Sequence, residues 1–220
     1  MVLKEKTALL VGATGLVGGH LLPILLEQPA YHKVKIFTRR NIQLEHPKLE
    51  QIVVDFNQLD QYFDHVQADH VYCCLGTTIK KAGSKEAFRK VDFEYPLAIA
   101  KMAKQCGASK FLMVTSIGAD SNSSFFYNQV KGNVEEEIKK LGLPSVHLFQ
   151  PSLLLGSRSE SRPGESAAIM VSPLIKLIAR GRWSKYSPIQ AKDVAAAMYR
   201  VGQSQGQGNH VHHFEQMMSK

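Results

Sequence analysis

Short apolar blocks rich in β-branched residues recur along the chain, at Thr7–Val11, Val34–Phe37, Ile52–Val54, His70–Leu75, Phe111–Thr115 and Val146–Phe149. They are nearly continuous instead of alternating with polar residues. That pattern belongs to strands buried on both faces, as in a parallel sheet covered by helices. Between them, apolar positions fall at helical spacing over Gly15–Gln28, Ser84–Cys106 and Phe125–Leu141. Strand, helix and strand in alternation predict an α/β fold, a doubly wound parallel sheet. Beyond it, Ala167–Ile178 and Lys192–Val201 have helical spacing, and Asn209–Phe214 reads as a last short strand. One domain spanning 1–220 is expected, with 152–190 as a small C-terminal substrate or lid region.

Two interruptions stand out. Pro23 falls inside the first helix, where it removes a hydrogen bond and is expected to bend the helix. The stretch Gly156–Ser166, GSRSESRPGES, is polar and turn-rich and reads as a mobile loop.

The first strand runs directly into GATGLVG, with glycines at 12, 15 and 18. This G-x-x-G-x-x-G departs by one residue from the dinucleotide fingerprint G-x-G-x-x-G. The physics is unchanged. A strand that turns tightly into a helix needs bare backbone if a pyrophosphate is to approach it, and the helix N-terminus favours the phosphate charge. The phosphates would rest on Gly12–Gly18, against Thr14, Leu16 and Val17 as well as the glycines. A structural turn is the bland alternative. No G-x-x-x-x-G-K-[ST] occurs, which excludes a kinase-type phosphate loop.

About twenty residues past Gly18, the second strand ends in Thr38-Arg39-Arg40. An NAD site wants a carboxylate here for the ribose 2′-hydroxyl. Two arginines instead suit the 2′-phosphate of NADP, and a guanidinium also stacks on adenine. Surface arginines without a ligand are the competing view.

Tyr127 and Lys131 form Y-x-x-x-K at the start of a predicted helix, so both side chains share one face. A free phenol, with a pKa of about 10, is a poor acid–base group at neutral pH, and a neighbouring ammonium favours its ionised form. Tyr127 then exchanges a proton with a substrate oxygen as hydride moves. Ser116, at the end of the fifth strand, supplies a hydroxyl to the same oxygen. Tyr31 and Lys35 match the pattern too, but they lead into a strand, where they share no helix face.

Composition trims the alternatives. The chain is 44% hydrophobic and 21% charged, which is ordinary for a globular domain. Three cysteines, Cys73, Cys74 and Cys106, point to a reduced, cytoplasmic setting. The first apolar run is broken by glycines and lacks a cleavage site, so it does not read as an export signal. No run of apolar residues is long enough for a membrane span.

The net charge of +8 is spread in short groups without an aromatic RNA-binding motif, so nucleic acid is disfavoured and an anionic small molecule fits. The basic segment 176–185 suits either an acidic lipid surface or a lid. Cys73 and Cys74 read as buried packing. His210, His212 and His213 read as a solvated tail and not a metal site. Glu135–Glu137 with Lys139–Lys140 reads as a salt-bridged helix face.

These residues together resemble an atypical short-chain dehydrogenase/reductase, and within that group the Tat-interacting-protein-like family. The resemblance is carried by GATGLVG at 12–18, FTRR at 37–40, VVDF at 53–56, CCLGTT at 73–78, KAGS at 81–84, YNQVKG at 127–132 and ESRPGE at 160–165. It implies a Rossmann-type fold binding NADPH. Asp55 and Phe56 would lie near the adenine, and Leu75, Gly76, Thr77 and Thr78 along ribose and phosphates. Ser116, Tyr127 and Lys131 would be the catalytic triad, also touching the cofactor, with Pro151 near the nicotinamide.

Two positions depart from the superfamily. Val91-Asp92-Phe93 stands where it often has an asparagine, and Pro151-Ser152 where it has proline–glycine. The resulting expectation is an NADP-dependent oxidoreductase acting on a small carbonyl or alcohol. The alternative is a dinucleotide-binding regulator that acts through a protein partner and turns over little. A homodimer is a further expectation from relatives.

Overall fold

The computed structural model describes residues 5–156 and 186–219. Seven strands form the main sheet: β1 Lys6–Val11, β2 Tyr31–Thr38, β3 Leu49–Val53, β4 His70–Cys73, β5 Lys110–Val114, β6 Ser145–Phe149 and, last in the chain, β9 Gly208–His212. Their order is β3-β2-β1-β4-β5-β6-β9, and every pairing is parallel. A separate pair, β7 Leu154–Leu155 and β8 Ile189–Gln190, brackets residues 157–185.

The near-continuous apolar strands have a direct cause. Along β1, Ala8 and Leu10 enter one hydrophobic cluster and Leu9 and Val11 the opposite one. Successive side chains on a strand point to opposite faces, and here both faces are covered. Helices α1 (Leu16–Glu27) and α6 (Ala191–Gln203) cover the first face, where Leu21 and Leu25 join Val194 and Met198. On the second face, α4 (Tyr95–Gln105) and α5 (Phe126–Lys140) supply Ile99, Ala103, Val134 and Ile138. Each such leucine or isoleucine, buried completely, contributes roughly 2 kcal/mol. The doubly wound Rossmann arrangement expected from the sequence is the one observed. Strand order reverses between β1 and β4, which opens a crevice beyond their C-terminal ends.

The expected helix 84–106 is not one element. Short helices α2 (Ile79–Ala82) and α3 (Lys85–Arg89) lead into a π-turn at Lys90–Glu94 and only then into α4. In this turn the Tyr95 amide donates to Lys90 O, five residues back. Pro96 lacks the N–H that an α-helix would aim at the carbonyl of residue 92, so widening the turn there sacrifices little.

Helix α1, by contrast, continues through Pro23. The partner that Pro23 denies is the carbonyl of Gly19, an exposed residue at the crevice where water reaches it.

The C-terminal histidines need correction. They are not a solvated tail, because β9 pairs with β6 and His212 stacks on Phe149. His212 Nε2 also lies 3.0 Å from His147 Nδ1. A single-sequence pattern does not reveal which strand a late segment will join. Two elements had no sequence signal: a 3-10 stretch at Phe56–His65 and a closing helix α7 at Phe214–Met218. The expected helix 167–178, the loop beyond Gly156 and the basic segment 176–185 lie outside the described residues.

Candidate functional site

A cavity of about 1070 Å³ opens at the crevice. Small-molecule sites span about 300–1000 Å³, so this one has room for an elongated ligand. Ala13–Val17 of the glycine loop form one wall, and Thr38, Arg39 and Arg40 lie beyond the end of β2. Cys74–Thr78 follow β4, and Asp92, Thr115, Tyr127 and Lys131 close the far end.

The three glycines have separate jobs. Gly12 has φ +88°, and a β-carbon there would lie 2.6 Å from the carbonyl oxygen of Cys74. Only glycine lets β1 turn this close to β4. A β-carbon on Gly18 would overlap the carbonyl of Gly12, so this residue lets α1 pack onto the turn. Gly15 lines the cavity itself. Helix α1 begins with neither a side-chain cap nor an acidic residue in its first turn. Its leading amides, with the helix dipole behind them, therefore suit an external anion. This bare cradle fits a dinucleotide's diphosphate.

Positive charge concentrates at the same end. Arg39 and Arg40 are exposed along the cavity, and the Arg40 amide donates to Thr38 Oγ1 at 3.0 Å. Lys81, the first residue of the KAGS string, and His20 also line it. The place of Lys81 at the cavity was not legible, since it depends on where α2 lies.

At the other end, Lys131 is buried and its Nζ lies 2.6 Å from Asp92 Oδ1. The second oxygen of Asp92 accepts the Thr77 amide at 2.9 Å. Burial works against the Lys131 charge, but attraction to Asp92 and then to Tyr127 outweighs it, so the ammonium pKa is raised. Tyr127 is half-buried against Phe88, with ring centroids 5.4 Å apart. The Y-x-x-x-K spacing thus places both side chains on the cavity, as expected from one helix face.

After β5 it is Thr115 that borders the cavity, while Ser116 stands outside the lining and its Oγ donates to Ile117 O at 3.3 Å. Thr115 donates to Glu135 at 2.5 Å, and Gln150 Nε2 donates to both oxygens of the same carboxylate at 2.9 Å. Glu135 is therefore buried between the ends of β5 and β6 and not simply part of a solvated ion-pair face. Pro151 is buried nearby, its carbonyl accepting the Ile117 amide at 2.9 Å.

Asp55 and Phe56 lie outside the cavity lining. Asp55 caps the 3-10 stretch through the Asn57 amide, and Phe56 packs on Tyr95 with centroids 5.5 Å apart. Cys73 is fully buried and Cys74 reaches the cavity, and all three cysteines are free. Among the described residues no helix is long and apolar enough to cross a membrane.

Comparison with known proteins shows the family and the fold. Residues 12–153 match a family described as NAD(P)H-binding. Protein HTATIP2 of Rattus norvegicus is 41% identical over 167 residues, covering 74% of this chain and 69% of that protein. Protein FMP52, mitochondrial, of Eremothecium gossypii is 36% identical over 178 residues, covering 80% and 78%.

Among solved structures, the Bordetella bronchiseptica enzyme WbmH in complex with NAD+ superposes with TM-score 0.72 at 17% identity, over 96% of this chain and 75% of that one. An ADP-L-glycero-D-manno-heptose-6-epimerase of Helicobacter pylori gives 0.69 at 17% identity, over 96% and 78%. At that identity the likeness establishes the fold.

Proposed function

Because this chain belongs to the NAD(P)H-binding family, and within it to the HTATIP2-like atypical short-chain dehydrogenases/reductases, we propose that it is an NADP-dependent oxidoreductase acting on a small carbonyl or alcohol. The observation that carries this is one shared cavity: Arg39 and Arg40 line one end, Tyr127 and Lys131 the other, with the glycine loop between.

When bound, NADPH supplies the hydride. Gly15 and the first turn of α1 would receive the diphosphate, and the two arginines would pair with the 2′-phosphate. Leu75 to Thr78 would lie along ribose and phosphates. Tyr127 delivers a proton to the substrate oxygen, with Ser116 orienting that oxygen and Lys131 favouring the phenolate that is left.

Titration of the purified protein with NADPH and NADH tests the cofactor. NADPH binds more tightly, and Arg39→Ala/Arg40→Ala lowers its affinity roughly tenfold or more while NADH is unchanged. Equal binding of the two by the wild type removes the role given to the arginines. In a screen of carbonyl substrates, Tyr127→Phe cuts turnover by about 10²–10⁴ with little change in NADPH affinity. Tight NADPH binding with no turnover in any assay assigns the regulatory role instead. The cytoplasmic placement competes with the mitochondrial designation of the fungal relative, and cell fractionation decides it.

A further inference from the structure

Asp92 is the middle residue of the π-turn and is completely buried. Its two oxygens face different elements. Oδ1 meets Lys131 of α5 at 2.6 Å, and Oδ2 takes the Thr77 amide of the loop after β4 at 2.9 Å. Gly76 lies directly over the pair: a β-carbon there would come within 3.6 Å of Asp92 Oδ1 and 3.8 Å of Lys131 Nζ. All of these residues border the cavity that holds Tyr127.

We propose that Asp92 is the positioning residue of this site, fixing the Lys131 ammonium and the Gly76–Thr77 backbone against the bound dinucleotide. It rests on the cofactor reading above. A neutral asparagine could hold the Thr77 amide but could not balance a buried ammonium. Without a counter-ion, a buried lysine gives up its proton. The groups facing Lys131 are Asp92 from the π-turn, Tyr127 from its own helix and Cys73 from β4. Of these, only Asp92 is a carboxylate, so the charge on Lys131 depends on it. The π-turn has a purpose in this account, because it brings residue 92 to α5 and the β4 loop at once.

Asp92→Asn keeps the side-chain volume and removes the charge. Three variants, Asp92→Asn, Lys131→Met and the double, are compared by thermal unfolding and NADPH titration between pH 7 and pH 9.5. Each single variant lowers the Tm, and the double is more stable than the sum of the two losses, because neither charge is left alone.

In Asp92→Asn, NADPH affinity falls about tenfold relative to wild type. The gap widens as pH rises and Lys131 deprotonates, and the double variant binds no worse than Lys131→Met alone. A purely structural Asp92 would lower the Tm and leave affinity and its pH dependence where they were, and that result overturns the assignment. A wild type that binds no dinucleotide overturns the cofactor reading and this proposal together. Wild-type binding that Asp92→Asn leaves intact overturns only the role of Asp92.

Discussion

Gly18 packs its α-carbon against the carbonyl of Gly12 with no space for a β-carbon between them. That contact seats α1 on the turn leaving β1, and so decides where the helix N-terminus points. Gly15 differs, since a β-carbon there would stand 3.2 Å from the same carbonyl and project at the cavity.

Two alanine substitutions separate packing from binding. Gly18→Ala costs about 1–3 kcal/mol as an overpacked site, a Tm drop of several degrees at about 2–4 °C per kcal/mol. Gly15→Ala has a smaller effect on Tm and a larger one on dinucleotide affinity. Equal losses in both assays for both variants would sink the division of labour.

Tyr31 shows why its own Y-x-x-x-K pattern is structural. Its hydroxyl meets His70 Nδ1 at 2.7 Å, Tyr72 Oη at 2.7 Å and Gln203 Nε2 at 2.8 Å. The ring is fully buried, and burial pushes its phenol well above the usual range. Tyr31→Phe leaves three polar groups short of a partner and costs about 1–3 kcal/mol. Tyr199→Phe, which loses one 3.2 Å contact to Gln28, costs less than about 1 kcal/mol. Chemical denaturation of both variants gives the comparison, and a harmless Tyr31→Phe would rule out the hub.

Three histidines make the fold acid-sensitive. Burial first, then neighbouring basic groups, lowers His70 and His147 to about 3 and His212 to about 4. Around His147 the further groups are His212 and His210, and around His70 they are Lys6 and Lys110. The unfolded chain protonates these rings near its ordinary value of about 6.5, whereas the folded chain resists. Their contribution is therefore intact above pH 6.5 and declines as pH falls toward the folded values. Thermal melts from pH 7 to pH 5, where carboxylates stay largely ionised, should show a falling Tm. His147→Leu should flatten the slope, and a wild-type Tm that is level over this range contradicts the assignment.

Much of the site was legible because it depends on local covalent spacing. A glycine loop between a strand and a helix, two arginines closing the next strand, and a tyrosine four residues before a lysine on one helix face all follow from backbone geometry. The sheet was legible for the same reason, since strands buried on both faces leave unbroken apolar blocks at Thr7–Val11 and Phe111–Thr115. The roles of Asp92, Glu135 and the histidine stack were not, because each depends on a partner far along the chain. The carboxylate of Asp92 has meaning only once α5 delivers Lys131, and that of Glu135 only once β5 and β6 bring Thr115 and Gln150 to it.

The sequence by itself determined the alternation of strands and helices, the bare turn at residues 12–18 and the helix face shared by Tyr127 and Lys131. Tertiary structure alone decided that a π-turn swings Asp92 onto Lys131, that α2 carries Lys81 to the cavity, and that β9 closes the sheet beside β6. Hydrophobic periodicity and turn chemistry act over a few residues and are written along the chain. Charge pairing and strand neighbours are settled between distant segments, where burial makes an unpartnered group too costly to leave.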